Sequence, residues 1–143
     1  KCSFGMQEVD YLGHTISGND VAMDKSKVGA ISNWPEPKNV KTLRGFLGLT
    51  WYYRKFIQGY AVIDRPLTDL LKKDSFIWND IAWNVFIKLK TVVTQAPALD
   101  LPDFSKSFIL ETDASRIGIG VVHSQDQHPI AYFSKKLSPR SQK

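Results

Sequence analysis

An α+β fold is predicted for this 143-residue chain from three changes of pattern along its length. Short runs rich in aromatic and β-branched residues open it. Apolar residues at helical spacing behind capping side chains fill the middle, and strand-like runs return near the end. The architecture expected is a short N-terminal β-hairpin, a helical middle and a C-terminal antiparallel β-meander. With 43% apolar and 23% charged residues, the composition is that of a globular domain rather than a disordered segment.

"CSFG" and "VDYLGHTIS" read as two short strands, and "SGND" supplies a turn ahead of Val21. Gly13 is either conformational permissiveness or a place where backbone approaches a ligand closely. His14 alone reads as a packed or half-exposed histidine. A helix is predicted from Asp24 to Trp34: Asp24 accepts a first-turn amide, Lys27 or Val28, Ile31 and Trp34 keep helical spacing, and Pro35 with Pro37 ends the run. Asn39 caps the next helix, in which Val40, Leu43, Phe46 and Leu47 form the packed stripe. Gly48 is expected to bend or interrupt it, with helical "TWYYRKFIQGY" and a further helix in "RPLTDLLKK" following. The aromatic cluster Trp51, Tyr52, Tyr53, Phe56 and Tyr60 admits two readings. It joins short helices, with Phe56 and one tyrosine in the core, or it meets sugar, base or backbone while Arg54 and Lys55 meet phosphate. Residues 80 to 95 read as a helix with Ile81, Val85, Leu89 and Val92 on one side and Asn79 or Asp80 as cap. After "QAPALDLPDFSKS", "FILETD", "RIGIGVVHSQ" and "HPIAYFSKKLS" are three strands joined too tightly for a crossover helix, hence a meander. "GIG" lacks the rest of a dinucleotide fingerprint.

The formal charge is +5, and it is unevenly placed. Between Lys38 and Lys73 eight basic residues stand against Asp64 and Asp69, a local excess of six. Such a cluster suits a polyanion, although a solvated basic face is the plainer alternative. A single cysteine, Cys2, excludes an intrachain disulfide framework and a cysteine zinc cluster. No apolar run reaches 18 residues, so no membrane partner is expected. The chain opens on Lys1 without Met, and an excised or processed piece is expected.

"FILETDASRIGIG" places Asp113 at the end of an apolar stretch, followed at once by small residues. A lone aspartate there is a cap or turn former, a catalytic residue or a metal ligand, and composition does not choose among them.

"VDYLGHTIS", "LRGFLGLTWYYRKFI", "PLTDLLKK", "FIW", "APALDLPDF", "ETDAS", "GIGVV" and "HPIAYFSKKLS" occur in an order that resembles the reverse transcriptases of gypsy-type (Ty3/gypsy) long-terminal-repeat retrotransposons. The resemblance covers nearly the whole chain. It implies the end of the polymerase palm with its primer-grip hairpin over 1–23, the helical thumb and connection over 24–106, and the first strands of an RNase H domain over 107–143. It departs from the family pattern at Trp51, Arg116, Ile117, Val121 and His123. Trp51 replaces a small residue, which raises a decayed or domesticated element as a source.

The resemblance also implies roles. Tyr11, Leu12, Gly13 and His14 match the primer grip. Lys41, Arg44, Arg54, Lys55 and Lys72 are the thumb's phosphate contacts, meeting duplex without reading sequence. Asp113 matches the first acidic ligand of the RNase H site, where two metals about 4 Å apart serve phosphodiester cleavage. Mg2+ or Mn2+ is the implied cofactor of the parent enzyme. Because Mg2+ takes about six oxygens, Asp113 alone holds none tightly, and Glu111 is not a family ligand. The implied partners are an RNA/DNA hybrid or primer-template duplex and the remainder of the Pol polyprotein, with self-association through exposed sheet edges a further expectation. The implied location is intracellular, in cytoplasmic virus-like particles with a nuclear stage. Polymerase aspartates and later RNase H carboxylates are not recognisable, so the 143 residues alone are expected to catalyse neither reaction. An inactive structural or protein-interaction fragment is the alternative; a nuclease completed by another chain is a third.

Overall fold

In a computed structural model, residue 2 and residues 4–138 are described. The expected strand "CSFG" does not form: Ser3 lies outside the described residues, and Cys2, Phe4 and Gly5 are irregular, Gly5 at φ +66°. Residues 139–143, the end of the expected RNase H segment, also lie outside them.

"VDYLGHTIS" is not one strand but a hairpin, β1 (Val9–Tyr11) and β2 (His14–Ile16), in antiparallel register with Tyr11 opposite His14. Leu12 at φ 47° and Gly13 at φ 76° make the two-residue turn. Positive φ at both central positions matches the twist of paired strands, which is why Asn-Gly is the usual choice. Leu12 takes that conformation at a cost of about 1–2 kcal/mol.

Two tyrosines offset the cost. Tyr52 Oη donates to Leu12 O at 2.6 Å, and Tyr53 Oη donates to Gly13 O at 2.7 Å. The amide of Asp24 also donates to Gly13 O, at 3.1 Å. Tyr53 is fully buried, and desolvation pushes its hydroxyl up to about 12, so it stays a donor at neutral pH. A Cβ added to Gly13 would lie 2.9 Å from Tyr53 Oη.

β3 (Asp20–Met23) pairs with β2 and leads into α1 (Lys25–Ser32), capped by Asp24 through the Ser26 amide as expected. α2 (Val40–Tyr52) opens on a capping box in which Asn39 and Thr42 satisfy each other's amides. It continues unbroken through Gly48, so the expected interruption does not fall there. Leu43, Phe46, Leu47 and Thr50 are buried continuously beneath that position, so packing overrides the weak propensity of one exposed glycine. The interruption falls later, at Tyr53, with a 3-10 turn at Arg54–Phe56; "TWYYRKFIQGY" is therefore not one helix. Short α3 (Tyr60–Ile63) and α4 (Arg65–Asp69) follow, α3 entered through Gly59 at φ 68°.

α5 (Asp80–Thr94) is capped by Asn79. Its buried side is Ala82, Phe86, Leu89 and Val93 rather than the expected Ile81, Val85, Leu89 and Val92, and Ile81 is largely exposed. The helix turns to aim Phe86 at Phe46, their rings 4.7 Å apart. With Ile31, Leu43, Tyr53, Phe56, Tyr60 and Leu67 these form one core. Burying each such apolar side chain contributes about 1.5–3 kcal/mol before chain entropy is counted. Leu99 and Asp100 form an unexpected two-residue strand, β4, on β3, completing the sheet order β1-β2-β3-β4.

The C-terminal meander forms as expected: β5 (Ile109–Ala114), β6 (Gly118–Gln125) and β7 (His128–Lys136), in that order. Its β6–β7 turn also has two residues at positive φ, here both non-glycine, Asp126 and Gln127. One face lies on the helices. Ser134 Oγ accepts from Ala61 N at 2.9 Å, Lys136 Nζ meets Asp69 at 3.1 Å, and a Cβ on Gly118 would come within 2.9 Å of Val62.

At this joint Asp64 is partly buried, with Thr68 donating to it at 3.1 Å. Burial pushes its carboxyl up from 3.8 to about 6, against the opposing pull of Thr68 and Lys136. Its contribution to stability is complete below pH ~4 and is lost as pH rises through 6. Asp64→Asn keeps an acceptor for Thr68. It should stabilise the protein at pH 7 by on the order of 1 kcal/mol after allowing for solvent screening, and by nearly nothing at pH 4. Urea titrations at the two pH values measure this; an equal effect at both contradicts it. In a second test, Gly13→Ala should cost about 2–3 kcal/mol. The cost should shrink in a Tyr53→Phe background, which removes the atom the methyl would strike.

Candidate nucleic-acid interface and acidic site

On α2, Lys41, Arg44, Gly48, Trp51 and Tyr52 are spaced by three or four residues, so they share the face opposite the buried stripe, and all five are exposed. A Cβ on Gly48 would meet nothing within 4 Å. The face is cationic at its start, flat in the middle and aromatic at its end. There Tyr52 hands over to the hairpin turn, where Tyr11 and Leu12 are 61% and 70% exposed.

His14 turns the other way. Its Nδ1 lies 3.0 Å from Leu12 O, and its ring stacks on Phe56 at 5.8 Å with Tyr52 and Tyr53 beside it. Burial, then the charge of Lys55, lowers its pKa, so the imidazole is neutral at physiological pH. With Nδ1–H directed at Leu12, the buried Nε2 is an acceptor without a partner.

The remaining basic positions do not share the α2 face equally. Arg54 lays its guanidinium 3.6 Å from the Trp51 ring centroid and donates to Trp51 O at 3.1 Å. Trp51 is half exposed and carries Arg54 on its ring. Lys55 is half-buried, its ammonium 5.2 Å over Phe56. Lys72 is bound to Asp69 at 2.9 Å.

Asp113 pairs with Gly120, which pairs with Ser134. Residues directly opposite in a sheet share a face, so Asp113 and Glu111 lie on the side that Ser134 and Gly118 turn toward the helices. A cavity of about 280 Å3 opens there, with Gln58, Gly59 and Val62 on the helical side and Glu111, Asp113 and Ser134 on the sheet. Asp113 accepts no side-chain hydrogen bond among the described residues, so the capping reading finds no partner. Among the described residues no group of three or more His, Cys, Asp or Glu could hold a metal ion. One or two carboxylates do not meet the oxygen demand of Mg2+ or Mn2+, so the donor set present does not by itself fit the metal. No helix among the described residues is long and apolar enough to cross a membrane.

Local reading misses two features of these sites: the open helix face at Gly48 and the tyrosine–carbonyl bonds. The tyrosine bonds span forty residues, and no local pattern announces them.

Residues 78–143 match the family described as RNase H-like domain found in reverse transcriptase. The chain is 44% identical over 140 residues to the retrovirus-related Pol polyprotein from transposon 297 of Drosophila melanogaster, covering 96% of this chain and 13% of the polyprotein. It is 39% identical to that from transposon gypsy of the same organism, covering 99% of this chain and 15% of the polyprotein. The uncharacterized mitochondrial protein AtMg00860 of Arabidopsis thaliana is 51% identical over 111 residues, 76% of this chain and 70% of that protein. The foamy viral protease-reverse transcriptase in complex with RNA/DNA hybrid superposes at a TM-score of 0.88 with 22% identity, over 96% of this chain and 19% of that one. Its complex with double-stranded DNA gives 0.87, again with 22% identity, over 96% of this chain and 30% of that one. At that identity the likeness is one of fold. The chain thus spans less than a sixth of the Drosophila polyproteins it matches. On the sequence matches and the order of its elements, it belongs to the reverse transcriptase/RNase H region of Ty3/gypsy-type Pol polyproteins.

Proposed function

We propose that this region holds a primer-template duplex or an RNA/DNA hybrid against the exposed face of α2 and the β1–β2 turn. The observation that carries the reading is the unbroken run from Lys41 through Gly48 to Tyr52. A rod of phosphates needs cations at the edge of a flat track, and a bare helix backbone lets a groove come close. The foamy viral enzymes, solved with hybrid and with duplex DNA, share the fold and support the same class of partner. Contacts of this kind position the strand and carry no base sequence.

Binding by this chain should be indifferent to duplex sequence and fall steeply with salt. Replacing Lys41 and Arg44 together with Gln should lower affinity for every duplex and reduce the slope of log K against log salt by roughly two, about 0.9 for each phosphate left without its cation. Fluorescence anisotropy across a salt series measures both. An unchanged slope in the folded double variant removes α2 from the interface.

Asp113 has a finer role in this reading: one carboxylate of the ribonuclease H site of the whole polyprotein, whose other ligands come from elsewhere in that protein. Its place on a helix-facing cavity wall, without a side-chain partner, supports a group held free for another purpose. Asp113→Asn should leave the urea midpoint of this chain within about 0.5 kcal/mol, yet abolish hybrid cleavage by the intact polyprotein. Near-normal cleavage by that variant overturns the assignment.

A further inference from the structure

A second recess, which shares only Phe133 with the cavity at Asp113, lies where β2, the end of α2, the 3-10 turn and β7 meet, with a volume of about 400 Å3. That is within the range of small-ligand sites, roughly 300–1,000 Å3. Its charged lining is Arg54 and Lys55, and no carboxylate lines it. Lys55 is half-buried and has no carboxylate partner among the described residues. A buried ammonium without a counter-ion is unfavourable, and desolvation accordingly lowers its pKa. The unpartnered Nε2 of His14 belongs to a second residue of the same lining. The remaining walls are rings, with Trp51 and Phe133 about half exposed and Tyr52 slightly less so.

We propose that this recess takes one unpaired nucleotide of a nucleic-acid strand. The cations receive its phosphate, and the exposed rings receive its base. A base reaches an aromatic face only when it has left its own stack, so the occupant is single-stranded rather than duplex. Charge supports the choice: two cations and no anion suit a phosphodiester. Continuity supports it as well, since Trp51 and Tyr52 belong both to this recess and to the α2 face. A strand leaving the duplex track at its aromatic end enters here. The proposal rests on the duplex reading for the route of the strand, but the recess has its own test.

The probes are a blunt DNA duplex, the same duplex with a short single-stranded thymidine tail, and oligothymidine alone, each titrated with the 143-residue chain. The tail should tighten binding roughly five- to tenfold, the scale of one base–aromatic stack. Phe133→Ala should remove that gain and leave blunt-duplex affinity unchanged; Phe133→Tyr should restore the gain. Equal affinity for tailed and blunt duplexes, or a gain that survives Phe133→Ala, overturns the proposal. If the blunt duplex does not bind, the α2 reading falls and oligothymidine decides the recess alone. Binding that is lost on Phe133→Ala then supports it, and no binding overturns it.

Discussion

Two hydroxyl–carbonyl hydrogen bonds organise the N-terminal half of this protein. Tyr52 and Tyr53 are adjacent at the end of α2, and each bonds the carbonyl of a successive residue in one tight turn. The bonds set the hairpin at a fixed angle to the exposed helix face, so turn and helix present one surface. The net worth of each is only about 1 kcal/mol. What they prevent matters more: Gly13 O, also bonded by the Asp24 amide, would otherwise lie partly buried with one partner fewer. Gly13 has no side chain because the tyrosine hydroxyl occupies that space. The same tyrosine is a fully buried member of the core, so the geometry of that surface is tied to the packing of the domain.

The C-terminal sheet is attached by a different logic. β7 and β6 approach the helices through small residues, Ser134 and Gly118, while Lys136 reaches Asp69 at the edge. β5, one strand farther out, is exposed along its entire length. The row that begins as a packed contact at Ser134 therefore ends as a free carboxylate at Asp113, over an open cavity. Packing on one side of the sheet is graded, and the grade leaves the acidic end accessible. Gln125 adds a separate tether: its amide bonds both backbone groups of Asp103 and so fixes the chain leading into β5.

What can be read from the sequence is what is decided locally. Asp24, Asn39 and Asn79 each cap the helix they precede, because a cap is settled within three residues. The three C-terminal strands and their antiparallel order follow from period and linker length. The failures share a cause in distant partners. Propensity alone makes Gly48 a break, but the stripe packed beneath it keeps the helix continuous. The buried side of α5 is shifted by one residue because Phe86 answers to Phe46, forty residues earlier. β4 is two residues long and exists only because β3 is beside it. The basic residues are legible as a group and not as a surface: Lys41 and Arg44 share a face, whereas Lys72 is held by Asp69. The motifs identify the family because their order over the whole chain carries more information than any one element.

The positive φ of Leu12 bears on the order of assembly. A hairpin of two three-residue strands with an unfavourable turn is not stable by itself, since even well-formed two-stranded hairpins are marginal in water. Its stabilising partners are forty residues later in the chain, so closing that loop must come first. Within these residues β1 and β2 are therefore held as a pair only once α2 has brought its tyrosines into place.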